Sequence, residues 1–284
     1  MKSKKKKIRE ICKDLLEKGT VQTVIGYTEG GVEGMRIPYI FNKPEDAQKL
    51  EWDQRCAPNL SAYLRGRKEK IGIVAKPCDI RGIINYLIEN QLVRDNIYII
   101  GVDCVGMTNT LGELLPGCDE CTVKRPPLFD ERVENPDVTD EDTKNVSEKD
   151  ADELAENLEK FQNEMKKCIL CYSCRQACYG CYCDVCFMDR GVPNWQPATP
   201  DIGAKMVYHL GRAMHLSGRC VECGACERVC ASGVNVRYII KEVTRFIEEI
   251  YGHKAGLDTE TQPVMTTYLP NDREIGFLGG EAHE

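Results

Sequence analysis

Eight cysteines fall into two runs of one spacing, and few folds accommodate that arrangement. Cys168, Cys171, Cys174 and Cys178 follow C-x2-C-x2-C-x3-C, and Cys220, Cys223, Cys226 and Cys230 repeat it. Thiols three residues apart on a tight loop can reach one small inorganic body together, while the fourth is displaced towards another. Nine more cysteines bring the total to 17. The lysine-rich start, Met1 to Lys7, leads into no signal-peptide core, and no stretch of about 18 apolar residues follows anywhere. The expectation is therefore a cytoplasmic chain without a transmembrane segment. Thiols stay reduced in that compartment, so metal ligation is expected rather than a disulfide framework.

Runs of this form hold four-iron clusters in bacterial ferredoxins, where the fourth cysteine of each run serves the other cluster. The spacing therefore assigns one [4Fe-4S] cluster to Cys168, Cys171, Cys174 and Cys230, and a second to Cys178, Cys220, Cys223 and Cys226. Zinc is the alternative, since paired C-x2-C motifs also bind it. Zinc, however, takes four ligands at one point rather than runs of three with a displaced fourth. Tyr179 and Ala231 stand where such runs usually carry proline. That proline shapes a turn and ligates nothing, so the assignment stands.

Before these runs the pattern is that of an α/β domain with a small, mostly parallel sheet. Residues 8–18 place Ile8, Ile11, Leu15 and Leu16 on one helical face, and the five lysines before them read as a solvated end. Val21 to Tyr27 and residues 36–41 read as strands, and 44–65 as a helix broken near Pro58. Ile71 to Ala75 and Ile97 to Val102 are apolar without alternation, as strands buried on both faces are. A helix with Ile80, Ile83, Ile84 and Leu87 on one side joins them, which makes a βαβ unit with parallel strands. Cys78 follows the first of these strands and Cys104 the second. Carboxyl ends of parallel strands lie side by side, where α/β proteins bind ligands. With the Cys118–Cys121 pair, four cysteines can converge at one sheet edge; the alternative is four inert core thiols.

Residues 1–128 are thus expected to form this cluster-binding domain. From 130 to 164 there are 14 acidic residues against four basic ones, which marks 129–164 as an acidic linker turning helical near 150. A two-cluster, ferredoxin-like α+β domain is expected over 165–252, with helices at 201–216 and 234–251, and an extended tail over 253–284. The net charge of −7 argues against a nucleic-acid partner.

Pro77-Cys78, Cys104, and Cys118 with Cys121 resemble the β subunits of the deazaflavin-dependent hydrogenase and formate dehydrogenase family. There the matching elements bind one four-iron cluster. Gly218 to Glu227 and Tyr251 to Asp258 resemble the two-cluster ferredoxin module that formate dehydrogenase members append. The resemblance covers roughly 20–125 and 165–265. It implies three [4Fe-4S] clusters, and as partners a flavoprotein, a formate dehydrogenase or hydrogenase subunit, or heterodisulfide-reductase-type subunits. In those relatives a long stretch after the C-x2-C pair completes a flavin site. Here only the acidic linker follows, and Gly30-Gly31-Val32-Glu33-Gly34 is too short for a phosphate loop, so FAD is not expected.

Cys181, Cys183 and Cys186 remain, and with Cys56 they could complete a fourth cluster. Cys12 reads as core. His209, His215, His253 and His283 show no ligand spacing and read as structural. No nucleophile elbow or acid–base pair is present. The expected role is single-electron relay between a donor-oxidising and an acceptor-reducing partner in an anaerobic oxidoreductase. The alternatives are a flavin-containing β subunit acting on a deazaflavin or nicotinamide coenzyme, and a zinc-stabilised scaffold. If the N-terminal set binds one cubane, Cys78→Ala should remove about four irons and leave the ferredoxin pair loaded. Unchanged iron content in that variant would refute the N-terminal cluster.

Overall fold

The computed structural model describes residues 2–139, 154–191 and 199–264. The middle of the acidic linker, Pro193 to Pro197, and the end of the tail with His283 lie outside them. In the N-terminal half a five-stranded sheet has the order β2-β1-β3-β4-β5. Its strands are β1 (Thr23–Glu29), β2 (Arg36–Phe41), β3 (Ile71–Ala75), β4 (Ile97–Val102) and β5 (Glu131–Val133). β2 pairs antiparallel with β1; the other three pairings are parallel, with Ile73 opposite Ile25 on one side and Ile99 on the other. All five residues of β3 are buried, as its unbroken apolar run requires.

Helix α1 (Lys2–Glu17) lays Ile8, Ile11, Cys12 and Leu15 into the core beneath the sheet strands. It starts earlier than its apolar pattern indicates, and its lysines are not merely solvated. Lys5 and Arg9 both reach Glu51 at 3.1 Å, and Lys7 donates to the carbonyl of Arg132 at 3.4 Å. Acidic groups at this end of the sheet hold the first turns in place. Where one interrupted helix is expected over 44–65, two short 3-10 segments form, Pro44–Lys49 and Leu60–Leu64. The chain between them is pinned from outside. Tyr27 donates its hydroxyl to the Pro58 carbonyl at 2.5 Å, and the Asn59 side chain caps the amide of Ser61 at 3.0 Å.

The acidic stretch after 128 begins inside the sheet, a correction to its reading as linker. Asp130 accepts the amide of Ile99 at 2.7 Å, Arg132 forks onto Asp103 with two 2.9 Å bonds, and Val133 is buried. Composition registered the charges but not these partners, which lie about thirty residues upstream in β4 and just after it.

The second half is built from α4 (Leu154–Lys167), α5 (Ser173–Gln176), α6 (Ile202–His215), α7 (Ala225–Arg228) and α8 (Val236–Tyr251). Phe161, Met165, Tyr208, Leu216, Val236, Ile239 and Ile240 share its core. Among the described residues this half contains no strand, where an α+β domain was expected. The segments between helices turn amide groups onto cysteine sulfurs (Leu170 to Cys168, Glu222 to Cys220, Val234 to Cys230) instead of onto a neighbouring strand.

The halves meet along α2 (Pro77–Ile88). Arg81 donates to the carbonyls of Ala255 at 2.9 Å and Val221 at 3.4 Å. Asn85 donates to the Tyr179 hydroxyl and the Arg219 carbonyl, and the Tyr86 hydroxyl to the Tyr179 carbonyl at 2.6 Å. Glu89, one residue past the helix, pairs with Arg219 at 2.5 Å. Tyr86, Tyr179, Val221 and Ala255 are buried together between the halves.

The start of the expected tail also packs here. His253 and Ala255 are buried, with the His253 ring against the Gly218 carbonyl at 2.9 Å. Gly256 sits at φ +70° with its α-carbon against the backbone of Arg81, where a side chain would fall on that carbonyl. Gly252 has a similar φ, +62°, and open space around it. Gly252→Ala should therefore cost only the left-handed penalty of about 1–2 kcal/mol. Gly256→Ala should cost distinctly more and should expose the 253–264 segment to protease. Thermal melts of the two variants that coincide would disprove the close approach.

Candidate metal centres

Helix α2 begins directly after β3, with Pro77 at its first position and Cys78 in its first turn. Cys104 follows β4 by two residues. Cys118 lies in the short helix α3 (Pro116–Asp119), with Cys121 just beyond. All four line one cavity at the carboxyl edge of the sheet, together with Cys223 from the second half. The sequence expectation of convergence at this edge is met by β3 and β4 lying in register.

The electrostatics of this cavity are those of buried thiols beside cations. Burial pushes the Cys78 thiol well up, Asp79 adds to this, and Lys76 opposes it. Cys104 is raised to about 11, by burial first, with the amide of Gly106 at 3.4 Å pulling the other way. Lys76, wholly buried, is held by Asp79 at 2.9 Å, the Pro58 carbonyl at 2.9 Å and the Tyr27 hydroxyl. Arg81, Lys124, Arg228, Arg237 and Lys254 also reach the lining, against the carboxylates Glu120 and Glu222. Glu120, held by Arg237 and then Lys241, is depressed to about 2. A chain of net charge −7 thus gathers cations around four thiols. Buried thiols ionise only where positive charge compensates them, as a bound metal core and these side chains would.

The two cysteine runs have the same backbone. In each, the residues either side of the second cysteine are left-handed: Leu170 and Tyr172 around Cys171 (φ 53° and 60°), Glu222 and Gly224 around Cys223 (φ 55° and 68°). In each, the amide before the second cysteine bonds the sulfur of the first at 3.4 Å. A four-residue helix bearing the third cysteine follows, α5 in one run and α7 in the other. Leu, Tyr and Glu are strained at positive φ, and strain of this kind persists where a site demands it.

Cys220 has Cys226, Cys178 and Cys223 as its cysteine neighbours, and Cys226 has Cys178 and Cys223. Cys226 also has Cys174 of the first run as an electrostatic neighbour, so the thiols of the two runs lie close to one another. Cys168 likewise has Cys174 and Cys230 beside it, while Cys171 is exposed, its thiol lowered by the Ser173 hydroxyl. Among the described residues no three His, Cys, Asp or Glu side chains close tightly enough to hold a single metal ion. All seventeen cysteines are free thiols.

The fourth set is not brought together. Cys56 is packed in the N-terminal core, its sulfur between the Asp53 amide at 3.4 Å and the Glu51 carbonyl at 3.7 Å. Burial raises it to about 12. Cys181 contacts Cys178, Cys183 is exposed, and Cys186 lies beside Arg175. Cys56 was linked to the others by arithmetic alone; Pro58 and Tyr27 hold its loop elsewhere.

Helix α6 carries what the sequence reading missed. The His209 ring nitrogen Nε2 lies 3.4 Å from the Cys168 sulfur, the Tyr208 hydroxyl 3.6 Å from that of Cys174, and Arg212 donates to the Cys174 carbonyl at 3.1 Å. Burial, then Arg212, lowers His209 to about 4, so its ring is neutral. The available signal was three polar residues on one face of a helix lying between two cysteine runs.

No protein-family model matches the chain. It is 20% identical over 359 residues to the F420-dependent formate dehydrogenase subunit beta of Methanocaldococcus jannaschii, covering 91% of this chain and 93% of that protein. It is 32% identical over 104 residues to the F420-dependent formate dehydrogenase 1 subunit beta of Methanococcus maripaludis, covering 35% and 26%. The first alignment is longer than the 284 residues of this chain, so that relative carries segments without a counterpart here.

The left-handed loops make a direct prediction. Glu222→Gly should gain about 1 kcal/mol of stability, because glycine adopts that φ freely. Glu222→Val should lose stability. Equal melting temperatures for the two would contradict the strained conformation.

Proposed function

We propose that this chain is an iron–sulfur electron-transfer subunit of a multi-subunit oxidoreductase of anaerobic metabolism. Twelve cysteines would hold three [4Fe-4S] clusters: Cys78, Cys104, Cys118 and Cys121 one, Cys178, Cys220, Cys223 and Cys226 a second, and Cys168, Cys171, Cys174 and Cys230 a third. The observation that carries this reading is the repeat of spacing and left-handed backbone in the two runs. The donor set fits such a cluster. Four thiols stand around a cavity rather than closed on one point, and a cubane is a much larger body than a zinc ion. The second half, with its exchange of Cys178 between runs, then serves as a two-cluster, ferredoxin-like module.

Bound there, four-iron clusters take up and release one electron at a time. The chain's own residues insulate and order the three sites. Cys223 lies in the wall of the N-terminal cavity and is an electrostatic neighbour of Cys78. Cys174 in turn neighbours Cys226. On this reading the set of Cys178 stands between the other two. Arg81, Asn85 and Tyr86 keep the first two sites at a fixed separation, since their bonds to the second half are buried.

The relatives' names point to partners of the formate dehydrogenase type; a flavoprotein, a hydrogenase subunit or a heterodisulfide-reductase-type subunit would use the same relay. No helix among the described residues is long and apolar enough to cross a membrane. A second reading, a flavin-bearing β subunit acting on a deazaflavin or nicotinamide coenzyme, draws on the length of the match to the Methanocaldococcus protein.

Iron, acid-labile sulfide, zinc and flavin content of anaerobically purified protein separates these readings. The expected result is about twelve irons per chain with no flavin. About sixteen would bring Cys181, Cys183 and Cys186 back as ligands, about eight would remove the N-terminal site, and zinc without sulfide would indicate a scaffold. One flavin per chain would favour the coenzyme-handling enzyme.

A further inference from the structure

Arg212, the single arginine of helix α6, turns inward. It is 3% exposed. One terminal nitrogen donates to the Cys174 carbonyl at 3.1 Å, and Nε has no hydrogen-bond partner. Among the described residues no carboxylate pairs with it. The groups of opposite charge around it are cysteines: Cys178 and Cys226 of one ferredoxin-type set, Cys174 of the other, and Cys181. An arginine remains charged in any protein environment, and an unpaired buried N–H is costly. A guanidinium placed so has to be balanced by something anionic, and thiolates of two adjacent sites are what surround it.

We propose that Arg212 is a positioning residue that sets the reduction potentials of the ferredoxin-type centres, raising them above what their thiolates alone would give. This rests on the reading that these cysteines hold clusters. Each reduction adds one negative charge at the site. A fixed cation in a low-dielectric interior favours that state, and hydrogen bonds to cluster sulfurs act in the same direction. His209 and Tyr208 supply such contacts to Cys168 and Cys174 only. Arg212 bonds the Cys174 loop and is in addition buried within the electrostatic reach of Cys178 and Cys226. No cation of the same kind is needed at the N-terminal site, where Lys76 is already buried.

The test is EPR-monitored redox titration of anaerobically purified full-length protein, with iron and sulfide assayed in parallel, for wild type, Arg212→Lys and Arg212→Gln. Arg212→Gln is expected to keep its iron and to lower the equilibrium constant for reducing at least one ferredoxin-type centre tenfold or more, about 59 mV for one electron. Arg212→Lys should stay within that margin of wild type, and the N-terminal centre should not move in either. Unchanged potentials in iron-replete Arg212→Gln would overturn the proposal, as would an equal fall in Arg212→Lys, which would show packing rather than charge. If Arg212→Gln loses the module's iron, Arg212→Lys decides: retained iron at wild-type potentials supports the charge, and loss in both variants assigns Arg212 to the scaffold. Wild-type protein without iron in the module would instead sink the cluster reading itself.

Discussion

One stripe of helix α2 holds the two halves of the molecule to each other. Arg81, Asn85 and Glu89 recur every four residues, so they share one side of the helix. Each reaches across to the second half, at Ala255 and Val221, at Tyr179 and Arg219, and at Arg219 again. The opposite side carries Ile80, Ile83 and Ile84 into the sheet core. The helix is therefore buried on two sides by different chemistry. Its N-terminus bears Cys78, so the contact that joins the halves also fixes the distance between the N-terminal thiols and Cys223.

Burial and charge then act against each other at every thiol set. Removing a sulfur from water favours the neutral thiol, and the raised Cys78, Cys104 and Cys220 follow from that. Ligation of the proposed clusters would require the thiolate. The fold brings cations inward where it would be needed: Lys76 at the N-terminal cavity, Arg81, Arg228 and Arg237 between the halves, Arg212 beside the two runs. Several of these also bind backbone carbonyls of the cysteine loops, as Arg228 does to Cys223 at 2.6 Å and Arg212 to Cys174. The same side chains thus shape the loops and offset their charge.

Elements held by local pattern were legible. The unalternating runs of β3 and β4 came through with the expected bounds, because a strand buried on both faces has no polar residues to blur its edges. Helices α6 and α8 are within two residues of their expected bounds, with Gly252 closing α8 at positive φ. Elements held by distant partners were not. β5 is three residues long, too short for a periodic signal, and exists because β4 presents an open edge. Residues 253–256 carry no periodic signal and were read with the tail, yet Gly256 is the residue that lets the chain touch Arg81.

By itself the sequence determined that two cysteine runs share one spacing, that Cys78 and Cys104 end adjacent parallel strands, and that an α/β half precedes a cysteine-rich half. These follow from local rules of spacing and periodicity, which need no knowledge of the rest of the chain. Only the tertiary structure decided that Cys56 belongs to the core and not to Cys181, Cys183 and Cys186, that Cys223 borders the N-terminal cavity, and that Tyr208, His209 and Arg212 face the thiols. Those facts depend on which surfaces meet. Polar side chains on a helix read as solvated until a partner surface with unpaired carbonyls and sulfurs covers them, and that partner lies tens of residues or more away in the chain.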